Sequence, residues 1–344
     1  MRTREQLDAV IKAYDVRGVV GEDIDENFVR DTGAAFAAIL REEGENTVAV
    51  GHDMRPSSPS LARAFAEGVT SQGLNVTLLG LTSTDELYYA AGSLECAGAM
   101  FTASHNPAKY NGIKLCRAGA VPVGQETGLG QIKQMLIEGT PEYTGTEGAI
   151  AEQEILAGYA DFLRKLVPLE DSKPLVVAVD AANGMGGHTV PAVFDGLPFE
   201  VRDLYFELDG TFPNHEANPL DPKNLVDLQK FTVEQKADIG LAFDGDADRC
   251  FVVDEKGQPV SPSAICALVA GRYLDKFPGA TIIHNLITSK TVPELIKEKG
   301  GTPVRTRVGH SFIKAQMAEH KAAFGGEHSC LLYTSDAADE RSSV

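Results

Sequence analysis

The sequence lacks the features that mark membrane and exported proteins. No run of apolar residues is long enough to cross a bilayer. The N-terminal residues 1–7, MRTREQL, have no apolar core of the kind found in signal peptides. Cysteine is also sparse, and its five positions include no CxxC pair, which argues against a zinc ribbon or a redox motif. We therefore expect a cytoplasmic protein with reduced thiols and no membrane partner.

Positive charge is in deficit. The chain has 31 Lys and Arg residues against 49 Asp and Glu residues, and its net charge is −18. The negative electrostatic field of such a protein argues against nucleic acid as a partner. A small phosphorylated substrate remains compatible with it, provided that Arg, Lys and His side chains form a local cluster.

Short β-branched runs alternate with longer helical stretches along the chain. With 43% hydrophobic and 23% charged residues among 344, we expect a globular protein of about two to three domains. The pattern predicts a helix over residues 58–71. It predicts strands over residues 47–51, 75–79, 97–101, 175–180, 237–243 and 280–284. This alternation is typical of mainly parallel sheets with helices on both faces.

The alternation restarts twice, after a Gly-, Thr- and Glu-rich segment at residues 139–148 and near a turn at residues 257–259. We therefore predict three successive α/β domains. Their predicted bounds are residues 1–148, 149–257 and 258–329, followed by a tail of residues 330–344.

A serine loop, TASHNP at residues 102–107, follows a predicted strand. Ser104 lies at the carboxyl end of that strand, where open α/β sheets place their sites, and Pro107 stiffens the loop. A serine that carries a transferable phosphate needs a stiff, exposed turn, and Lys114 can bring a cation near it. A plain turn is the alternative. A hydrolase pair of Ser104 and His105 is a second alternative, although no Gly-x-Ser-x-Gly elbow is present.

Three carboxylates, Asp244, Asp246 and Asp248, occupy alternate positions after an apolar strand. They can converge on one hard cation if Gly245 lets the backbone turn tightly, and Mg²⁺ prefers such oxygen ligands. Arg249 adds a planar fork suited to phosphate. An EF-hand would need a glycine where Arg249 stands, and helices on both sides. A solvated acidic turn remains the other alternative.

A carboxylate and a hydroxyl, Glu327 and Ser329, lie two residues apart in the segment GGEHS at residues 325–329. In an extended segment they point to one side, and Glu327 could accept hydrogen bonds from two sugar hydroxyls. A glycine-rich turn with an exposed acid is the alternative reading.

Further cations occur in two glycine-containing segments. Arg307 and His310 flank Gly309, and His310 could act as an acid or base near neutral pH. Arg17 is a candidate phosphate ligand. Asp53 and Arg55, after the first strong strand, are interpreted as residues that set their own loop. A structural histidine and a surface ion pair are the alternatives for His310 and Arg17.

Together these motifs resemble the α-D-phosphohexomutase family, in its phosphomannomutase/phosphoglucomutase type. The resemblance runs in order across residues 10–329. It rests on the motifs YDVRG at 14–18, TASHNP at 102–107, DGDADR at 244–249 and GGEHS at 325–329.

The resemblance implies successive mixed-sheet α/β domains and a reversible exchange of hexose 1-phosphate and hexose 6-phosphate through a 1,6-bisphosphate. Ser104 would carry a phosphate and, with the three aspartates, would bind Mg²⁺. The implied catalytic residues are Ser104, Lys114, His310, Arg17 and Arg249. The implied substrate-binding residues are Glu327, Ser329, Arg307 and His105.

The preferred hexose is less defined. Thr102 resembles the residue of the mannose and glucose enzymes, while a phosphoglucosamine mutase, a non-catalytic sugar-phosphate-binding fragment and a hydrolase remain alternatives. We expect a monomer or a weak dimer.

The resemblance ends after Ser329. We expect residues 330–344 to be a foreign tail from a truncated or misjoined reading frame, with the fourth domain of the family absent. Such a chain is expected to turn over poorly and to aggregate readily, because the phosphate far from Ser104 loses its anchor.

Overall fold

The computed structural model describes residues 2–329 and 332–334, and only the backbone of residues 310, 311, 333 and 334. Within these residues three separate β-sheets follow one another along the chain. Helices alternate with the strands in each of them. The predicted fold class of successive mixed-sheet α/β units is therefore confirmed.

The first sheet has seven strands, in the order β1-β5-β4-β2-β3-β7 with β6 paired to β5. Its strands are β1 (Val16–Val19), β2 (Thr47–His52), β3 (Asn75–Leu81), β4 (Ala97–Phe101), β5 (Tyr110–Arg117), β6 (Val121–Pro122) and β7 (Ile150–Glu152). Its helices are α1 (Arg4–Val10), α2 (Glu26–Glu42), α3 (Ser58–Ser71), α4 (Thr84–Ser93) and α5 (Gly130–Glu138). Only β5 breaks the parallel arrangement, because it runs antiparallel to β1, β4 and β6.

Alternate residues of the central strand β2 point to opposite faces of this sheet. Val48 and Val50 join the larger core with the helices α2, α3 and α5. Ala49 joins a smaller core with Leu87 of α4. Both faces are thus covered, as predicted, and α4 is the helix that lies on the second face.

The second sheet has four strands in the order β11-β10-β8-β9. They are β8 (Leu175–Asp180), β9 (Phe199–Leu204), β10 (Ile239–Phe243) and β11 (Cys250–Asp254), with α6 (Leu156–Leu166), α7 (Gly186–Phe194) and α8 (Val226–Glu234). β8 and β10 are parallel, whereas β11 returns antiparallel to β10. The loop between β10 and β11 holds the three aspartates.

The third sheet has four strands in the order β13-β12-β14-β15. They are β12 (Thr281–Asn285), β13 (Thr302–Thr306), β14 (Phe324–Gly326) and β15 (Leu332–Thr334), with α9 (Pro262–Lys276), α10 (Thr291–Glu298) and α11 (His310–His320). β15 pairs antiparallel with β14.

One predicted boundary needs correction. β7 lies beyond residue 148, yet it pairs in parallel with β3 and so belongs to the first sheet. The predicted tail also contains β15, while its residues 330, 331 and 335–344 lie outside the described residues. The foreign origin of that tail stays a prediction.

In the described part of the chain, no helix is long and apolar enough to span a membrane.

An aspartate–histidine pair fixes the loop between β9 and α8. His215 Nε2 lies 2.9 Å from Asp180 Oδ2, and its Nδ1 lies 2.9 Å from the Glu216 carbonyl oxygen. Burial lowers the pKa of His215, but the hydrogen bond and charge of Asp180 outweigh burial, and the pKa is raised. Both ring nitrogens face acceptors, so this arrangement favours the protonated imidazole.

Gly68 of α3 allows α2 and α3 to pack closely, because a Cβ at this position would overlap the Arg30 carbonyl oxygen. Gly68→Ala is expected to destabilise the protein by about 1–3 kcal/mol through overpacking. Denaturant unfolding measures this. Gly92→Ala is the matched control, since a Cβ there would meet nothing within 4 Å; it should change stability by less than about 1 kcal/mol. Equal effects of the two substitutions would contradict the packing argument.

His215 is also expected to make stability depend on pH. Its pKa is higher in the folded protein than in the unfolded chain. Its contribution is therefore fully present below the unfolded pKa of about 6.5 and is lost as the pH rises through the folded pKa. The difference in unfolding free energy between wild type and His215→Gln should be larger at about pH 5.5 than at about pH 8.5. A difference that does not change with pH would rule this out.

Candidate active site

The serine loop begins where β4 ends. Ser104 adopts a left-handed conformation with φ of 52°, and its backbone N–H donates to Thr102 Oγ1 at 2.9 Å. The side chain of Thr102 thus fixes the turn. Ser104 is fully buried, which corrects the exposed turn expected from the sequence. The second sheet covers it: at Gly245 a Cβ would overlap the Ser104 carbonyl oxygen, so only glycine permits this approach.

Arg55 is buried under the serine loop and holds its backbone. Its guanidinium donates to the carbonyl oxygens of Ser104 at 3.0 Å, Asn106 at 2.7 Å and Pro107 at 2.9 Å. Asp53 Oδ2 accepts from Arg55 Nε at 3.1 Å and offsets the buried charge. The interpretation of Asp53 and Arg55 as loop-setting residues therefore agrees with the geometry.

Ser104 lies against the aspartate loop of the second sheet. Its hydroxyl donates to Asp244 Oδ2 at 2.9 Å. One oxygen each of Asp244, Asp246 and Asp248 lies within 4.8 Å of the others. The structure therefore brings the predicted nucleophile and the three predicted metal ligands together, although they come from two sheets.

Lys114, on β5, lies between two of the carboxylates. Its Nζ is 2.6 Å from Asp246 Oδ2 and 2.7 Å from Asp248 Oδ2. Thr84 Oγ1 donates to the same Asp246 oxygen at 2.6 Å. Burial lowers the pKa of Lys114, but the carboxylates of Asp246 and Asp248 outweigh burial and raise it well above its usual range.

The aspartates respond differently to this environment. Burial raises the pKa of Asp246, yet Lys114 outweighs burial and brings the pKa well below its usual range. Burial and the two neighbouring carboxylates raise the pKa of Asp244. The raised pKa of Asp244 thus reflects burial first and repulsion between carboxylates second, and the charges of Arg249 and Lys114 offset it only in part.

The cluster fits a divalent cation. Among the described residues, the buried atoms Asp246 Oδ1 and Asp248 Oδ1 have no hydrogen-bond partner. Buried carboxylate oxygens are rarely left without a partner unless they bind a cation or water. The donor set consists only of oxygen atoms, which suits Mg²⁺.

Arg249 and His105 lie beside the nucleophile. Arg249 Nη1 donates to His105 Nδ1 at 2.8 Å, and the same ring nitrogen is 3.3 Å from Ser104 Oγ. Burial and the nearby charges of Arg249 and Arg17 lower the pKa of His105 to about 4. The imidazole is therefore neutral. His105, predicted to bind substrate, lies at the serine rather than with the predicted sugar loop.

Arg17 lies at the outer side of the serine loop. It donates to Asn106 Oδ1 at 2.7 Å and to Asp15 Oδ2 at 2.6 Å. Its guanidinium is therefore oriented toward the loop that carries Ser104, and its role as a phosphate ligand stays a prediction.

The third sheet presents the predicted sugar-binding pair. Glu327 follows β14 directly and is buried. Its Oε2 accepts from Asn285 Nδ2 at 3.2 Å and from Ser329 Oγ at 3.3 Å. Glu327 and Ser329 thus converge, as the two-residue spacing predicted, and Asn285 at the end of β12 orients the carboxylate.

The two remaining candidates lie near the start of α11. Arg307 is exposed, and its guanidinium carbon lies 4.2 Å from the centre of the Phe312 ring. His310 begins α11, but its side chain lies outside the described residues. The predicted roles of Arg307 and His310 stay predictions.

Thr84 is a site residue that the sequence reading missed. Ser83 and Glu86 form a capping box that starts α4, and the motif STDE carries that signal. The motif predicts a helix start at Thr84, but it does not show that Thr84 contacts Asp246 of another sheet.

Family models match the chain in three consecutive segments. The models for phosphoglucomutase/phosphomannomutase alpha/beta/alpha domains I, II and III match residues 8–140, 157–257 and 261–344. The match to domain III includes the predicted tail.

Similar proteins support the same assignment. A phosphomannomutase of Salmonella montevideo is 37% identical over 333 residues, which is 94% of this chain and 72% of that protein. A phosphomannomutase of Escherichia coli K12 is 37% identical over 334 residues, with the same shares covered.

Solved structures agree as well. A phosphoglucomutase/phosphomannomutase family protein from Burkholderia thailandensis superposes with a TM-score of 0.90 at 32% identity, covering 98% of this chain and 73% of that one. A protein from Thermus thermophilus described as a phosphomannomutase superposes with a TM-score of 0.86 at 27% identity, covering 95% of this chain and 75% of that one. The chain belongs to the phosphoglucomutase/phosphomannomutase family.

Proposed function

We propose that this protein is a phosphohexomutase that interconverts hexose 1-phosphates and hexose 6-phosphates of mannose or glucose. The observation that carries the proposal is the contact of Ser104 Oγ with Asp244 inside a cluster of three carboxylates and Lys114. A serine at such a cluster is suited to phosphoryl transfer, because catalysis of this reaction consists mainly of positioning and charge stabilisation.

The reaction begins with a phosphate on Ser104. The free hydroxyl of a hexose phosphate attacks the phosphorus, the bond from phosphorus to Ser104 Oγ breaks, and a hexose 1,6-bisphosphate forms. The bisphosphate then turns over, and its other phosphoryl group returns to Ser104 Oγ. The protein ends in its starting state, and the sugar has exchanged the position of its phosphate.

Lys114 and Arg249 have different tasks in these steps. The raised pKa keeps Lys114 protonated, so we assign it charge stabilisation rather than proton transfer. Arg249 lies 2.8 Å from His105 Nδ1, where its fork can meet the oxygens of the moving phosphoryl group. Arg17 stabilises the same group from the outer side of the loop, and His310 is proposed to transfer the proton of the sugar hydroxyl.

Mg²⁺ would be held by Asp244, Asp246, Asp248 and an oxygen of the Ser104 phosphate. When bound, it would offset the negative charge that accumulates on the phosphoryl oxygens. The charge count of the site favours a divalent ion. The three carboxylates carry three negative charges, and Lys114 and Arg249 carry two positive charges, so one negative charge remains. A serine phosphate adds about 1.5 to 2 further negative charges.

Glu327 and Ser329 are proposed to bind sugar hydroxyls in both orientations of the substrate. Glu327 is buried and held by Asn285, so it offers a fixed acceptor. Arg307 and His105 are proposed to contact the substrate phosphates. Among the described cysteines, Cys96, Cys116 and Cys266 are free thiols, in keeping with the proposed cytoplasmic location.

The first test is whether Ser104 carries the phosphate. Wild type incubated with glucose 1,6-bisphosphate should gain the mass of one phosphoryl group and lose it to glucose 6-phosphate. Ser104→Ala should gain none and should lose mutase activity by at least about a thousandfold. Intact-mass analysis and a coupled assay measure both. Ser93→Ala, at an exposed serine, is the control. Label on Ser104→Ala, or loss of the label only as free phosphate, would refute the proposal.

The second test concerns the metal. Asp246→Asn and Asp248→Asn should each weaken Mg²⁺ binding at least about tenfold in titration calorimetry, because each removes a charged oxygen ligand. Chelation should abolish turnover, and added Mg²⁺ should restore it. Asp171→Asn, at an exposed aspartate, should bind Mg²⁺ like wild type. Unchanged affinity in both loop variants would show that the aspartates hold no metal.

A further inference from the structure

Helix α4 contacts all three parts of the protein. Its body packs on the first sheet through Leu87. Its first residue, Thr84, donates to Asp246 of the second sheet, and Glu86 lies 3.7 Å from His188 of α7. Four residues after Thr84, Tyr88 meets the third part of the chain. Residues four apart lie on one face of a helix, so Thr84 and Tyr88 share the face that is turned to the other two sheets.

Tyr88 contacts Lys314 of α11. The Lys314 Nζ lies 4.0 Å from the centre of the Tyr88 ring, within the range of a cation–π interaction. Both side chains are partly buried, which strengthens such an interaction because less water competes for the ammonium group.

Charged groups near this contact act on the Lys314 ammonium group in both directions. The Asp85 carboxylate, in the first turn of α4, acts on Lys314, and so does Asp248, while Lys114 opposes them. The pKa of Lys314 is lowered, because burial outweighs the opposing charge of Asp85. The Nζ of Lys314 nevertheless lies against the Tyr88 ring and within electrostatic reach of Asp85 and Asp248.

The preceding residue of α11 connects this contact to the predicted sugar loop. Ile313 is fully buried, and a Cβ at Gly325 would lie 2.6 Å from its Cγ2. Gly325 belongs to β14, which runs directly into Glu327. A continuous path of contacts therefore joins the aspartate loop to the predicted sugar loop. It passes from Asp246 to Thr84 and along α4 to Tyr88. It then continues through Lys314 and Ile313 to β14.

We propose that Lys314 and Tyr88 are positioning residues, which set the loop of Glu327 and Ser329 over Ser104 through their contact between α11 and α4. The inference rests on the proposed function, because it assigns the contact to phosphoryl transfer between those loops. The first and third parts of the protein also approach each other where Gly309, just before α11, lies near Tyr14. Lys314 would fix α11 at a point further along the helix.

The first experiment needs no turnover. Hydrogen exchange is measured on full-length wild type, Lys314→Met and Lys314→Arg. Lys314→Met keeps the length of the side chain and removes its charge. It should speed exchange in residues 84–93 and 310–329 at least about threefold, whereas Lys314→Arg should match wild type because arginine also binds an aromatic ring. Lys299→Met, at an exposed lysine of the same part of the chain, is the control. Unchanged exchange in Lys314→Met would overturn the proposal.

The second experiment separates positioning from general stability. Tyr88→Leu and Lys314→Met should each lower kcat/KM for glucose 1-phosphate about tenfold, and the double variant should lose little more, because both remove one contact. Tyr88→Phe and Lys314→Arg should stay within about threefold of wild type. Phosphorylated Tyr88→Leu and Lys314→Met should also release more free phosphate per phosphoryl group transferred, since the sugar is held less well against Ser104. The proposal would be contradicted if a stably folded double variant showed fully additive losses in kcat/KM and an unchanged ratio of free phosphate released to phosphoryl groups transferred.

The two experiments also distinguish the proposal from the proposed function. If wild type does not interconvert hexose phosphates, the proposed function fails, while hydrogen exchange still tests the contact. If wild type turns over and Lys314→Met equals it in exchange and in kcat/KM, only the positioning role fails.

Discussion

The fold depends on how it stabilises three carboxylates in one short buried loop. Oxygens of Asp244, Asp246 and Asp248 lie within 4.8 Å of one another, so each pair of carboxylates repels by at least about 3.5 kcal/mol at an effective dielectric constant of about 20. Three such pairs equal about the whole stability of a domain. The Nζ of Lys114 lies 2.6 Å from Asp246 Oδ2 and 2.7 Å from Asp248 Oδ2. Each contact contributes an attraction of about 6 kcal/mol on the same scale. Because Lys114 belongs to the first sheet and the aspartates to the second, this compensation also fixes the two sheets to each other.

Ser104 acquires its properties from the same junction. The aspartate loop covers it, and Arg55 holds its carbonyl oxygen from below. The backbone near Ser104 therefore has little freedom, which suits its proposed role as phosphate carrier, because phosphoryl transfer needs the reacting atoms placed within a fraction of an ångström. Removing the charge of Lys114 would take from the buried Asp246 its largest compensating charge, so the arrangement of the candidate site and the interface between the sheets cannot be separated energetically.

Much of this could be predicted from local sequence. The helix at Ser58–Ser71 and the strand at Ala97–Phe101 have their predicted bounds, because periodicity and turn residues act within a few positions. The alternate spacing of the aspartates likewise indicated a cation site before any contact was known. The burial of Ser104 could not be predicted, because it depends on Gly245 of another sheet. The pairing of β7 with β3 is missed for a similar reason: it joins segments far apart in sequence, and only the topology decides it.

The contacts of α4 show most clearly what local sequence patterns cannot predict. The motif of Ser83 and Glu86 specifies a helix start, and any helix could follow it. The relation of Thr84 to Asp246 and of Tyr88 to Lys314 arises only when the three sheets are assembled around that helix. In the proposed reaction, a phosphoryl group leaves a loop of one sheet while a loop of another sheet holds the sugar, so the spacing between the two loops must be fixed. A single helix that contacts both sides at residues four apart supplies such a spacing, because four residues always rise about 6 Å along a helix.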